Sequence, residues 1–182
     1  EVLRVPEFRG LRREWVPENE AARCTALEAA LRDEPCLFVA EVASLLPGAV
    51  PPARFQSLSF EVAVGDRLAI GDLCERLVRM DYDNEVQVNI PGEFSHRGGI
   101  VDVFSPLYDA PCRIEFFGDE VDTIRFFDPI SQRSHSRAEV VRILPRGASV
   151  FGEEDDASSF FDYVGNDAVL VVCRPEAIEE HL

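Results

Sequence analysis

The sequence predicts an α/β fold with an α+β insert: a partial parallel α/β sheet formed by both chain ends, interrupted by a small, mostly antiparallel sheet domain with one main helix. Three observations lead there. Near-continuous apolar runs at 36–42 and 168–173 have the pattern of strands covered on both faces. Between them the hydrophobic pattern changes to alternation, as in half-buried strands. Two stretches at 47–52 and 145–156, rich in proline, glycine or acidic residues, punctuate the chain where one unit would hand over to another. The expected division is therefore 1–57 for the first segment of the outer unit, 58–145 for the insert, and 146–182 for a linker and the return segment.

In the outer unit, residues 2–5 suit a short strand. Residues 18–31 suit a helix with Ala22, Leu27, Ala30 and Leu31 on its apolar side. Strand, helix and strand in that order imply a parallel layer, and the strands near Val39 and Val171 are expected to share its sheet. Within the insert, Leu58, Phe60, Val62 and Val64 alternate up to a turn at Gly65 and Asp66. A helix follows from Gly71 or Asp72, with Ile70, Leu73, Cys74, Leu77 and Val78 spaced by three and four so that one stripe meets a core. Asp72 suits its positive end. Val86, Val88 and Ile90 alternate again. Residues 100–104 form a further strand, 112–117 turn at Gly118 and Asp119 into 121–127, and 140–144 close the set. One helix on a mostly antiparallel sheet is the result.

Composition narrows the chemistry. With 46% hydrophobic and 29% charged residues the chain reads as a globular protein. No apolar run approaches the roughly 20 residues that cross a bilayer, and the first ten residues lack the features of a signal peptide, so no membrane contact and a cytoplasmic location are expected. Five cysteines without a CxxC pair read as buried thiols, and three histidines far apart in sequence offer no metal site. A net charge of −16 opposes autonomous DNA binding, because a phosphate backbone rewards clustered cations. All 18 basic residues are arginine. Without a lysine there is no Walker A loop and no Schiff-base chemistry. Neither a catalytic residue nor a cofactor is expected in this chain.

The densest motif is Gly92, Glu93, Phe94, Ser95, His96, Arg97, Gly98 and Gly99. The glycines can let backbone approach a ligand and hold Arg97 outward, or simply make a bulge or tight turn. In the strand around Arg113, alternation sends Ile114 and Phe116 to the core and leaves Arg113, Glu115 and Phe117 on the other face. An aromatic ring beside arginine on an open face has the composition of a protein-binding hot spot; the alternative is that Phe117 folds back into the core. Asp119, Glu120 and Asp122 could support acid–base or metal-dependent hydrolysis, yet at a tight turn such acids are usually solvated. Ser95, His96 and Asp102 do not make a triad, since no strand-turn-helix elbow surrounds them.

These same segments, 92–104 with 113–121 and then Phe127, Asp128, Pro129, Ser131, Gln132, Arg133 and Ser134, closely resemble domain 2 of the transcription-repair coupling factor family, Mfd. UvrB carries a related domain and is the alternative; the Gln132, Arg133, Ser134 ending favours the Mfd type. The resemblance is strong over about 58–145 and weaker but collinear on either side. It implies an N-terminal fragment in which domain 2 is inserted into a UvrB-like domain 1 that lacks nucleotide-binding motifs. It further implies UvrA as the partner, with Arg97, Arg113 and Phe117 falling on the UvrA-contacting positions. ATP and Mg, DNA and RNA polymerase would belong to other parts of the parent, an ATP-dependent translocase. His96, Ser105 and Asp81 depart from the common pattern, and His96 puts the local geometry of Arg97 in question.

Overall fold

The computed structural model describes residues 2–6, 16–32, 34–45, 49–147 and 158–173. The chain is a mixed α/β structure in which the apolar side chains gather into two clusters. The larger takes its residues from the middle of the chain, including Phe60, Leu73, Leu77, Phe94, Val101, Ile114, Ile124 and Ile143. The smaller combines Val5, Cys24, Leu27, Val50, Phe55 and Leu144 with Phe160 and Tyr163.

At the start of the chain, β1 (Val2–Val5) and β2 (Leu37–Ala40) pair in parallel across the crossover helix α1 (Pro17–Ala30). Proline at the first helical position suits α1, because its missing N–H would be unsatisfied there anyway. The expected apolar stripe is only partly right: Leu27 is buried, but Ala22 is exposed and Glu20, Arg23 and Glu28 are buried instead. These charges are accommodated by partners. Glu28 accepts a hydrogen bond from Arg142 Nη2 at 3.3 Å, with Arg142 Nε 2.6 Å away in the same ion pair, and Arg23 donates to the Ser44 carbonyl at 3.0 Å.

The second apolar run departs from expectation. Residues 168–173 form no strand, so among the described residues the sheet of β1 and β2 has no third strand and the strands near Val39 and Val171 do not meet. Val171 is 77% exposed and Val39 53%. A fully apolar strand is stable only when both faces are covered, and no described element covers either face of this one.

Of the proline-rich stretch 47–52, the described residues 49–52 are packed against the rest of the chain. Ala49 bridges Ser158, Val50 is buried, and α2 (Val42–Leu45) and α3 (Pro52–Leu58) flank it. Leu58 therefore ends a helix, and the following strand β3 is only Phe60–Ala63. Helix α4 (Ile70–Arg79) buries Leu73 and Leu77 but leaves Val78 exposed, since Val78 lies one position beyond the contacting stripe.

The main sheet has six strands in sequence order: β4 (Asp83–Asn84), β5 (Glu93–Arg97), β6 (Ile100–Val103), β7 (Cys112–Phe117), β8 (Glu120–Phe127) and β9 (Ser134–Ala138). Only β4 and β5 are parallel; the rest is an antiparallel meander. Separately, β10 (Val140–Ile143) pairs with β3. The alternation at Val86, Val88 and Ile90 makes a loop rather than a strand, because the Glu93 carboxylate accepts from the backbone N–H groups of both Asn89 and Ile90 and curls the segment. Val88 is buried while Val86 points to solvent.

Candidate protein-docking site

The main sheet has one face on the core and one facing away. Val101 and Val103 lie in the core, so Asp102 between them projects from the other face. Register then carries a polar row across five strands: Ser95 opposite Asp102, Asp102 opposite Arg113, Arg113 opposite Arg125, and Arg125 opposite Arg137. Three arginines side by side would repel one another without interleaved acids. Asp102 and Glu115 supply them.

Asp102 is only 2% exposed, and its two oxygens accept from Arg113 Nε and Nη2 at 2.7 Å each. This bidentate pairing is the strongest arrangement available to the two groups. It raises the Arg113 pKa above the ordinary guanidinium value, burial opposing. Arg113 Nη2 also donates to Gln132 Oε1 at 3.0 Å, and the guanidinium lies over the buried Phe127 ring at 4.5 Å. The same Asp102 carboxylate lies 3.5 Å from Arg97 Nη2. The Arg97 side chain is 58% exposed. Glu115 is taken by Arg125 and by the Thr123 hydroxyl, which donates to it at 2.9 Å.

Arg97 and Phe117 stand at the tips of adjacent hairpins. Strand β5 turns into β6 through Gly98 and Gly99, with Arg97 opposite Ile100. Gly98 has φ +60°, a conformation glycine adopts without strain, so the glycine pair makes a tight turn that also displays Arg97. Strand β7 turns into β8 through Gly118 and Asp119, with Phe117 opposite Glu120. The ladder slips between Glu115 and Phe116, and there the Phe116 N–H donates to the Gly99 carbonyl at 2.8 Å. Phe116 packs partly against the core, whereas Phe117 is 85% exposed. The alternative that Phe117 folds back into the core is not what the chain does. Beside Phe117 lies a shallow depression of about 540 Å³ lined by Arg67, Leu68, Ala69, Asp119 and Glu120.

Other candidates are dispersed. Asp119, Glu120 and Asp122 are exposed around the second hairpin, Glu120 pairing with Arg67 at 3.6 Å. Among the described residues no three His, Cys, Asp or Glu side chains come together as metal ligands would. Ser95 is buried and donates to the Val86 carbonyl at 3.2 Å, while the exposed His96 ring is engaged with the Gly98 carbonyl at 2.9 Å. No described helix is long and apolar enough to cross a membrane. Sequence reasoning singled out Asp102 only as a possible triad member and Gln132 only as part of a family pattern. A lone carboxylate between two buried valines was the available signal that a cation must face it from the next strand.

Residues 60–148 match the family described as UvrB interaction domain. Similar curated proteins include a transcription-repair-coupling factor of Myxococcus xanthus, 46% identical over 108 residues, which are 59% of this chain and 9% of that protein. Another, from Staphylococcus aureus (strain USA300), is 35% identical over 76% of this chain and 12% of its own length. A third, from Bacillus subtilis (strain 168), is 33% identical over 78% of this chain and again 12% of its own. The chain therefore spans about a tenth of the length of these relatives.

Proposed function

Because residues 60–148 match the UvrB interaction domain and the chain is similar to transcription-repair-coupling factors, we propose that it is a non-catalytic docking module that recruits UvrA to stalled transcription complexes for nucleotide excision repair. The observation that carries the reading is Phe117, a large ring almost wholly in solvent at one end of the face on which Asp102 holds Arg113 and approaches Arg97. Burying such a ring is favourable only in a complex, and arginines beside it select a partner surface bearing carboxylates.

In this reading Phe117 enters an apolar pocket of UvrA, Arg97 pairs with a carboxylate at the rim, and Arg113 presents whatever edge its internal bonds leave. The docking unit is 58–145, mounted on a UvrB-like outer unit contributed by 1–57 and 146–182. ATP hydrolysis, with its Mg, and contacts to DNA and RNA polymerase belong to other parts of a cytoplasmic parent protein.

Isothermal titration of this chain against UvrA tests the proposal, with Arg97→Ala as the paired variant. Saturable binding weakened about tenfold by the substitution, about 1.4 kcal/mol, is the expected outcome. A folded chain that does not bind UvrA overturns it.

A further inference from the structure

Gln132 is one of two non-glycine residues with positive φ among those described, at +59°. A residue without the special tolerance of glycine or asparagine is held there only when its surroundings over-determine it, and such positions gather at functional sites. Here both ends of the side-chain amide are used. Oε1 accepts from Arg113 Nη2 at 3.0 Å, and Nε2 donates to the Pro129 carbonyl at 2.8 Å. The Pro129 carbonyl also receives Gln87 Nε2 at 2.8 Å from the loop before β5. Asp128 closes the turn: its backbone carbonyl accepts from the Gln132 N–H at 2.8 Å and its carboxylate from the Ser131 N–H at 2.6 Å. The strained residue is thus tied at its backbone, at its amide nitrogen and at its amide oxygen, and the oxygen points at the guanidinium.

Asp102 secures Arg113 Nε and Nη2 from one side, and Gln132 takes the second hydrogen of Nη2. Nη1 makes no hydrogen bond among the described residues. A guanidinium is planar, so fixing Nε and Nη2 fixes the direction of Nη1 as well.

We propose that Gln132 and Asp102 form a clamp that positions Arg113 with its Nη1 edge ready for a partner carboxylate, making the 128–133 loop part of the UvrA-docking site. The proposal rests on the docking function above and deepens it. Gln132 is a positioning residue: it acts through Arg113 and lowers the ordering cost of binding, because a side chain already immobilised has less freedom left to lose.

The test is Gln132→Gly in the whole chain, followed by titration against UvrA and by thermal melting. Glycine tolerates positive φ, so the turn is kept and only the amide is lost. The expected result is a Tm within a few degrees of the parent together with affinity weakened about fivefold. Unchanged affinity overturns the clamp. Should the glycine variant melt well below the parent, Gln132→Asn decides, since asparagine also accepts this backbone conformation but is one methylene too short to reach Arg113. Weakened binding by an asparagine variant of normal Tm supports the clamp, and parental binding overturns it. If the parent chain itself does not bind UvrA, the docking function fails and the clamp's role with it, an outcome distinct from a binding parent with an indifferent variant.

Discussion

Asp102 and Arg113 face each other directly across β6 and β7 and are joined by two parallel hydrogen bonds of 2.7 Å each. Because the carboxylate is almost fully buried, the pair belongs to the fold as much as to the candidate docking face. Arg113→Ala therefore removes a candidate contact and also leaves a buried negative charge with Arg97 as its one remaining ion-pair partner among the described residues. We expect a loss of stability of about 3 kcal/mol, visible as a lower denaturation midpoint in urea. A midpoint equal to the parent's would show that the carboxylate is solvated in solution.

Phe117→Ala should behave in the opposite way. The ring is in solvent, so stability should stay within about 0.5 kcal/mol of the parent. Affinity for UvrA should fall by about 2 kcal/mol or more. Calorimetry paired with a denaturation curve separates the two quantities, and unchanged affinity would remove Phe117 from the site.

Alternation read correctly where a strand has one dry and one wet face. Ile114 is buried and Phe117 exposed, although a bulge that no periodicity reveals lies between them. Edge and hairpin strands escaped the same reading. Ser134, His135, Ser136 and Arg137 in β9 are all exposed, so the single apolar Ala138 at its end marks no period, and His96 and Arg97 hide β5 in the same way. The apolar run at 168–173 misled because its composition describes a partner as much as a strand, and none of the described elements is that partner. In α1 the buried Glu28 broke the stripe, since its Arg142 partner lies far along the chain.

Glu28 and Arg142 give a further expectation. The carboxylate is buried and paired with Arg142, which donates from Nη2 at 3.3 Å and brings Nε to 2.6 Å, with Arg32 Nε at 3.7 Å, so it ties α1 to β10. Glu28→Ala should cost about 3 kcal/mol by leaving the largely buried Arg142 with Glu61, at 3.7 Å, as its remaining carboxylate, and pairing it with Arg142→Met should recover much of that loss. A denaturant series on the single and double variants measures the coupling.

The buried thiols make stability depend on alkaline pH. Burial pushes the Cys112 thiol from its ordinary value of 9.0 up to about 12, with nearby Asp102 adding to the shift, and burial drives Cys24 upward as well. The folded state holds these protons after the unfolded chain has released them. Their stabilisation is therefore complete below pH 9 and is lost as pH rises toward 12, with a slope on the order of 1 kcal/mol per pH unit for each thiol. Cys112→Ala should flatten that decline in denaturation curves taken across the range. In the native state the exposed Cys173 should be alkylated well before Cys24 or Cys112.

The contact between Gly99 and Phe116 reaches beyond the turn that contains it. The Gly99 carbonyl receives the Phe116 N–H, and a Cβ on Gly99 would stand 3.1 Å from the Phe116 oxygen, so the two hairpins are keyed to each other through backbone. Arg97 lies just before one turn and Phe117 just before the other. The spacing of their backbone positions is thus set by the main chain and not by either side chain. A protein docked on this surface as proposed could exchange what meets the cation and what meets the ring, but it would inherit the interval between the two strand ends as a constant.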